Sequence, residues 1–258
     1  MNYFIEGLQG SGKSTLAGRL HELTGSTVFR EGDYSPVELA WCAYLDKESY
    51  DDMLGRYPIL RSQIEEQTFS EGDAEIVCFT KVKTDDGSFY KELERHEIYN
   101  GRLPYDRFID LILARYKAWN GDGQIFECSL FQNIIEDMVL FRDLFDEKII
   151  DFYRQVRQAL DGKPFRIMYL KTADVAGNLD VIRKERTDEN GHEIWYEMMC
   201  GFFDNSLHAK NHGVSGIEAM TEHFMHRQEL ELRICRELFP SETVILGSKG
   251  YTDADITI

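Results

Sequence analysis

The chain has few basic residues for its length, and this shortage excludes several function classes. Its 258 residues include 29 Lys and Arg against 46 Asp and Glu, which gives a formal net charge of −17. Proteins that bind nucleic acid or anionic lipid do so through a basic face. We therefore expect no nucleic-acid partner and no membrane partner.

Cysteines and long apolar runs are also scarce. The five cysteines lie far apart and form no CxxC pattern: Cys42, Cys78, Cys128, Cys200 and Cys235. Such spacing is typical of a reducing compartment with unpaired, mostly buried thiols. No apolar run approaches the roughly 18 residues of a membrane span, and the first ten residues do not resemble a signal peptide. We expect a cytoplasmic protein.

The first residues contain the most informative motif. A short apolar run at residues 2–6 leads directly into the octad GLQGSGKS, Gly7 to Ser14, which satisfies GxxxxGK[ST]. Leu16, Leu20 and Leu23 then recur at helical spacing, so the order is strand, glycine loop, helix. This order is the context that a phosphate-binding loop requires, and chance would produce the octad in about one such chain in a hundred.

Each residue type in the octad has a physical reason. The glycines let the backbone turn successive N–H groups toward an anion, and the following helix adds the positive end of its dipole. Lys13 is expected to bind the β and γ phosphates, and the Ser14 hydroxyl is expected to bind Mg²⁺. Thr15 is expected to contact the α phosphate. The expected ATP contacts are Gly7, Gln9, Gly10, Ser11, Gly12, Lys13, Ser14 and Thr15.

Strand and helix patterns alternate along the rest of the chain. Further strands are predicted at residues 27–30, 124–127, 165–170 and 243–246. Helices are predicted at about 56–69, 104–119, 130–160, 174–186, 195–209 and 215–238, and another is predicted to begin at Ser35-Pro36-Val37-Glu38, a capping box. We predict an α/β, three-layer P-loop NTPase fold with a five-stranded parallel sheet flanked by helices.

One segment interrupts the alternation. Residues 75–82 and 89–93 are rich in β formers and flank Asp85-Asp86-Gly87, a turn signal, so residues 74–99 are predicted to be an inserted β-hairpin between the second and third core strands. No Pro, Gly and Ser linker divides the chain, and we expect a single domain over residues 1–258. Residues 183–212 are predicted to form a lid-like region.

Four features of the sequence together resemble the P-loop kinases, and within them the nucleoside and nucleotide kinases. They are the octad, two strands that end in acidic residues, and a cluster of arginines late in the chain. The resemblance implies that an acidic residue after the second strand addresses the acceptor; Asp33 is the candidate, ahead of Glu31. A solvated helix-capping turn is the alternative there. A carboxylate in reach of a hydroxyl can act as its base.

The third predicted strand ends in Glu127-Cys128-Ser129, which is similar to the Glu-Arg-Ser signature of deoxynucleoside kinases. The resemblance implies that Glu127 helps Ser14 hold Mg²⁺, and oxygen ligands suit that ion. Cys128 stands where those kinases have an arginine, so a nucleoside acceptor does not follow. By the same resemblance, Arg183 and Arg186 belong to a lid that closes on the phosphates, although such a charged run also suits a solvated helix face.

Two histidine pairs and an aromatic stretch have no assigned role. His208 with His212 and His223 with His226 have helical spacing, but neither has the glutamate of HExxH, so we expect structural or acceptor-facing roles and no metal. Residues 217–238 carry an apolar stripe expected in the core: Ile217, Met220, Phe224, Ile234 and Leu238. The aromatic residues that could stack on a base, or equally be core, are Trp41, Tyr44, Tyr50, Tyr57 and Phe69.

The sequence therefore predicts an enzyme that transfers phosphoryl from ATP, with Mg²⁺, to a small-molecule acceptor: a nucleoside, a nucleotide or another hydroxylated metabolite. Lys13, Asp33, Glu127, Arg183 and Arg186 are the expected catalytic residues. The alternative is a nucleotide-dependent switch or regulatory ATPase that binds a protein partner. A homodimer is compatible with the sequence, which does not fix the oligomeric state or the choice between ATP and GTP.

Overall fold

The structure, a computed structural model, describes residues 1–256. Its contacts group the chain into two compact units. We call them the sheet unit, residues 1–28 with the chain from Asn120 onward, and the middle unit, Phe29–Trp119. The expectation of a single domain stays a prediction.

Strands and helices follow one another along the described residues. The strands are β1 (Asn2–Gly7), β2 (Thr27–Phe29), β3 (Ala43–Asp46), β4 (Thr68–Glu71), β5 (Ala74–Val77), β6 (Gln124–Glu127), β7 (Phe165–Lys171) and β8 (Thr243–Gly247). The helices are α1 (Lys13–Thr24), α2 (Lys47–Arg56), α3 (Arg61–Glu66), α4 (Gly87–Leu93), α5 (Tyr105–Ala118), α6 (Gln132–Glu136), α7 (Asp146–Ala159), α8 (Val175–Glu185), α9 (Ile194–Asp204), α10 (Leu207–His212), α11 (Gly216–Leu238) and α12 (Asp253–Ile256).

The main sheet has five strands in the order β2-β6-β1-β7-β8. Strand β1 is buried along its whole length and pairs in parallel with β6 and with β7, which in turn pairs in parallel with β8. A strand buried on both faces is apolar throughout, as residues 2–5 largely are. The predicted five-stranded parallel sheet flanked by helices is confirmed.

The α1 side of this sheet holds a continuous apolar core. Tyr3 and Ile5 of β1 pack with Leu16 and Leu20 of α1 and with Met168 of β7. The spacing of Leu16 and Leu20 therefore marks the buried face of α1, whereas Leu23, the third leucine of the pattern, is 44% exposed. This packing fixes the loop between β1 and α1 at the carboxyl edge of the sheet.

The predicted hairpin is wrong in its position. The observed hairpin joins β4 to β5, and β3 extends it to a three-stranded antiparallel sheet in the order β3-β5-β4. Residues 87–93 form helix α4, because the Asp86 carboxylate accepts the Ser88 N–H at 2.9 Å as an N-cap. Phe89 and Leu93, four residues apart, lie on one face and enter the core of the middle unit.

The predicted helix at Ser35 is also wrong, because no helix lies between β2 and β3. The Ser35 hydroxyl oxygen accepts N–H bonds from Val37 and Glu38, at 3.3 Å each, as a cap would. The Glu38 carboxylate turns forward to the Ala40 N–H at 2.6 Å, and helical hydrogen bonding does not continue. The same side-chain bonds therefore close a turn.

The longest predicted helix, residues 130–160, is interrupted. Helix α6 passes into a π-helical segment, Asp137–Phe141, and Asp143 then takes a left-handed conformation with φ 50° before α7 begins. The predicted helix 56–69 is likewise shortened to α3 and followed by β4, and 195–209 is divided into α9 and α10. The predictions at 104–119, 174–186 and 215–238 are confirmed by α5, α8 and α11.

Candidate nucleotide site

The glycine loop joins the buried strand β1 to helix α1. Gly7 and Gly10 have positive φ, 136° and 72°. A Cβ at Gly7 would lie 2.5 Å from the Leu170 carbonyl oxygen, and one at Gly10 would lie 2.3 Å from the Ile182 side chain. Both positions therefore require glycine for conformation and for space. The backbone is consequently packed closely against β7 and α8.

The N-terminus of α1 is open to an anion. Gly12, with φ 99°, occupies its N-cap, and no side chain in residues 1–256 caps it. The Lys13 ammonium lies over the loop and donates to the Gly7 and Leu8 carbonyl oxygens at 2.8 Å each. Ser14 and Thr15 are exposed in the first turn. Free N–H groups, the helix dipole and a placed ammonium are the elements of a phosphate site.

Ser14 and Glu127 are brought together by the sheet. Glu127 ends β6 and lies opposite Ile5 in the parallel register with β1, so its side chain reaches the start of α1. The Ser14 hydroxyl donates to the Glu127 carboxylate, 113 residues away in sequence. A hydroxyl and a carboxylate in contact beside a phosphate loop supply the hard oxygen donors that Mg²⁺ prefers. The two predicted metal ligands thus fit the ion.

Cys128 follows Glu127 in a left-handed conformation with φ 60°. Its N–H donates to the Ile5 carbonyl at 3.1 Å, and its carbonyl accepts from the Asn133 side chain at 3.2 Å. A residue other than glycine in this conformation costs free energy and is common at functional sites. The buried thiol places no positive charge here.

Sequence reasoning missed a buried arginine that reaches the loop. Arg227 of α11 is fully buried and donates to the Gln9 side-chain oxygen at 2.8 Å. The Gln9 carbonyl also accepts from the Asn178 side chain of α8 at 2.8 Å. Two helices therefore fix this loop residue. The only signal in the sequence was the i, i+4 pair of Arg227 and Glu231, which looks like an ordinary surface pair.

Arg227 is held by acidic partners in the interior. It contacts the Glu136 carboxylate, and its Nε lies 3.2 Å from Glu231. Burial alone would raise the pKa of Glu136, but Arg227 and then His223, at 2.9 Å, outweigh it and lower that pKa to about 2. Burial raises the pKa of Glu231, which accepts the Tyr169 hydroxyl at 2.6 Å. The clearly ionised pair of this network, next to the loop, is Arg227 with Glu136.

Glu6, the residue before the loop, is a second buried carboxyl. Burial raises its pKa to about 8, although the Leu130 N–H at 2.7 Å acts in the opposite direction. At neutral pH most of the Glu6 population is therefore protonated. A neutral side chain at this point keeps negative charge away from the phosphate loop.

The two predicted lid arginines lie at the end of α8 and just beyond it. Arg183 contacts the Glu193 carboxylate and its guanidinium lies 4.5 Å from the centre of the Tyr196 ring. Arg186 lies 5.2 Å from the Trp195 ring. Both are held by the start of α9, the segment that the sequence predicted to be lid-like. Such contacts at the surface are weak and exchange readily.

Asp33, the predicted acceptor residue, belongs to the middle unit. One carboxylate oxygen lies 2.6 Å from the Lys81 ammonium, and the other accepts the Arg30 N–H at 2.7 Å. The structure thus places it in a turn with an ion-pair partner. Its predicted role stays a prediction.

The middle unit also contains a buried carboxyl that the sequence did not reveal. Burial raises the pKa of Glu38 to about 8, and the neighbouring Glu31 also raises it. Arg115, almost fully buried, contacts Glu71 and the Ser35 carbonyl oxygen. Arg115 therefore anchors the turn that carries Glu38.

The aromatic residues of the middle unit divide between core and surface. Tyr50 is in the apolar core and Tyr57 packs against it. Trp41 is 44% exposed, and Phe69 stacks on Tyr34 with ring centres 4.2 Å apart. The stretch is therefore not one stacking surface.

A phosphate loop between β1 and α1, in a parallel sheet ordered β2-β6-β1-β7-β8, defines the fold. The described residues form an α/β fold with a glycine loop of the phosphate-binding type. No family model and no curated protein matches it. A solved deoxyadenosine kinase from M. mycoides with bound dATP is similar over 99% of this chain and 95% of that chain, at 14% identity and a TM-score of 0.39.

A search for membrane spans found no helix within residues 1–256 that is both long enough and apolar enough.

Proposed function

We propose that the protein transfers the γ-phosphoryl group of ATP, with Mg²⁺, to a small-molecule acceptor. The observation that carries the proposal is the contact between Ser14 and Glu127 at the open N-terminus of α1. An anion site alone would suit any phosphate ligand. Metal-ligating oxygens beside it favour a nucleotide with its ion.

The loop and Lys13 would bind the phosphate chain. The Lys13 ammonium already lies over two loop carbonyls, and on nucleotide binding it would exchange them for the β and γ phosphate oxygens. Gln9, fixed by Arg227 and Asn178, would keep the loop open for the phosphates. Mg²⁺ would supply charge neutralisation between the phosphates and fix their orientation. Ser14 and Glu127 would hold it.

The lid arginines would complete the phosphate site. Arg183 and Arg186 would leave Glu193 and the rings of Tyr196 and Trp195 and would contact the transferring group. Negative charge on the phosphoryl oxygens is stabilised by such cations at the transition state. The lid would also exclude water and so suppress hydrolysis.

The acceptor is proposed only as a class: a nucleoside, a nucleotide or another hydroxylated metabolite. Asp33 would accept the proton of the attacking hydroxyl. Cys128 in place of an arginine argues against assuming a nucleoside. A panel of nucleosides, nucleoside monophosphates and sugar alcohols, each scored for ADP formation, would identify the acceptor.

The deciding variant is Lys13→Ala. Losing the ammonium should lower turnover by about 10³-fold and weaken ATP binding, because one placed charge stabilises the phosphates in both states. Lys148→Ala, an exposed lysine of α7, is the matched control and should be neutral. Unchanged ATP binding and turnover in Lys13→Ala would refute the proposal.

The same panel of acceptors distinguishes the kinase from the second candidate function, a nucleotide-dependent switch or regulatory ATPase. If every acceptor gives only slow ATP hydrolysis, the nucleotide-dependent switch is favoured. The contacts that hold Arg183 and Arg186 to α9 would then be the switching element. Protease protection of residues 183–212 that depends on the nucleotide, without phosphoryl transfer, would identify this class.

A further inference from the structure

Three side chains with metal-ligating atoms meet away from the phosphate loop. Asp143 lies in the turn between the π-helical segment and α7, and His208 and His212 lie on α10. The Asp143 Oδ1 atom is 2.8 Å from His208 Nδ1 and 3.1 Å from His212 Nε2. No other group of three or more His, Cys, Asp and Glu side chains in residues 1–256 is close enough to hold a metal.

The separations suit a small metal ion. Zn²⁺ binds histidine nitrogen and carboxylate oxygen at about 2.0–2.2 Å in tetrahedral geometry, so neighbouring ligand atoms lie about 3.3 Å apart. The two observed carboxylate-to-imidazole distances are only a few tenths of an ångström shorter. The imidazole ring centres are 4.4 Å apart, as expected for two histidines at i and i+4 on one helix face.

The surroundings orient the carboxylate as a ligand. The Asn211 side chain donates to the other Asp143 oxygen, Oδ2, at 2.8 Å, which leaves Oδ1 facing both imidazoles. An outer partner of this kind typically supports metal ligands.

Two further observations point to a built site. Asp143 has φ 50°, a conformation that costs free energy for a residue with a side chain and that aims its carboxylate at α10. The preceding Arg142 is occupied by the buried Asp137, so its charge is already paired. The acidic background of the chain, net −17, further favours a cation.

We propose that Asp143, His208 and His212 bind one divalent transition-metal ion of the Zn²⁺ class. Imidazole nitrogen selects such ions, whereas Mg²⁺ and Ca²⁺ prefer oxygen ligands. Water would supply the fourth ligand. The ion ties the turn before α7 to the end of the 183–212 region, so it fixes where that region ends on the sheet unit.

Sequence reasoning expected no metal at this histidine pair because it lacks the glutamate of HExxH. The third ligand is 65 residues away from His208. Only the turn after the π-helical segment brings it to α10.

The test uses the full-length chain, stripped of metal with a chelator, dialysed and titrated with ZnCl₂ by calorimetry in millimolar Mg²⁺. We expect one Zn²⁺ per chain and a rise in Tm of about 5–10 °C when free Zn²⁺ is about 100-fold above Kd. His208→Gln and His212→Gln should each weaken binding at least about 100-fold, and Asn211→Ala about 10-fold. Co²⁺ substitution should give tetrahedral visible bands without a thiolate charge-transfer band.

Two controls keep the result specific. His226→Gln removes a histidine of α11 that pairs with Asp146 at 2.8 Å and is not one of the proposed ligands, and it should leave Zn²⁺ binding unchanged. Cys42→Ser with Cys78→Ser removes the thiols whose sulfur atoms are 3.6 Å apart, and should also leave it unchanged. Circular dichroism of each variant establishes that it is folded.

The proposal is overturned if folded wild-type protein binds no Zn²⁺ at about 100-fold the concentration of the chain. It is overturned equally if binding survives His208→Gln with His212→Gln, or is lost with the two cysteines. None of these measurements uses phosphoryl transfer, so the outcome is independent of the proposed function.

Discussion

The sheet unit and the middle unit each contain a buried arginine, and the two are used differently. Arg227 of the sheet unit is fully enclosed and joins two buried carboxylates to the loop residue Gln9. Arg115 of the middle unit is 5% exposed, but its acidic partner Glu71 is 29% exposed. An interior charge network fixes the phosphate loop, while a partly hydrated pair holds the turn of residues 31–42. The glycine loop is therefore supported by a fully buried arginine, and the turn of the middle unit by an ion pair that water can reach.

The largest expected effect tests this difference directly. Arg227→Met removes the guanidinium that faces Glu136 and Glu231 and leaves Glu136 with His223 alone, so it should cost about 3–5 kcal/mol in the free energy of unfolding. Arg115→Met should cost only about 1–3 kcal/mol, because water can reach Glu71. Urea unfolding measures both.

Arg233→Met, in the same helix as Arg227 but on an exposed pair, is the control and should cost less than about 1 kcal/mol. Equal losses for Arg227→Met and Arg115→Met would remove the distinction between the two units.

The next effect asks whether the middle unit takes part in chemistry. Asp33→Asn should lower kcat by about 10²-fold or more with little change in KM for ATP, because an amide cannot accept the acceptor's proton. Lys81→Met removes the partner at 2.6 Å and is the matched control. If both variants lower stability and activity alike, Asp33 is a structural partner of Lys81 and nothing more.

A third prediction concerns pH, and it applies to both units. The pKa values of Glu6 and Glu38 are raised to about 8 in the folded protein, so their contributions to stability are complete below about pH 4.5 and are lost as pH rises toward 8. Glu6→Gln and Glu38→Gln mimic the protonated form. The stability of each variant relative to wild type should therefore rise across this window, by up to about 1.4 kcal/mol per pH unit.

Glu136 provides the contrast, because its pKa is lowered to about 2. Its contribution is complete above about pH 4.5 and is lost as pH falls toward 2, so Glu136→Gln should be most destabilising near neutral pH. Thermal unfolding at half-unit intervals of pH would distinguish the two opposite pH dependences of stability. A flat difference for Glu38→Gln would show that this carboxyl is hydrated.

The smallest expected effect concerns the two arginines of the proposed lid. Arg183→Gln and Arg186→Gln should each lower kcat by about 10-fold, because each removes one cation from the closed state. Arg154→Gln, an exposed arginine of α7, is the control. The measurement is steady-state turnover of the proposed kinase reaction. If turnover is unchanged in either variant, that arginine belongs to an ordinary solvated helix end and has no role in the reaction.

The fold was largely predictable where the pattern is local. The core strands follow from short apolar runs, and α5, α8 and α11 follow from apolar spacing at 3.6 residues per turn. The hairpin position failed because Phe89 and Leu93 suit a strand and a helix alike, and the Asp86 cap decides for the helix. The helix predicted to begin at Ser35 is absent because the hydrogen bonds of the Ser35 and Glu38 side chains fit a turn as well as a helix cap.

The candidate site likewise has one part that a local sequence pattern predicts and one part that it does not. By itself the sequence determined the phosphate loop, since Gly7 to Ser14 are contiguous and each residue's chemistry can be read in order. The tertiary structure decided which distant side chains join it: Glu127 reaches Ser14 across 113 residues, and Arg227 reaches Gln9 across 218. The physical reason is that parallel strand order and helix packing, which no local pattern encodes, set these distances.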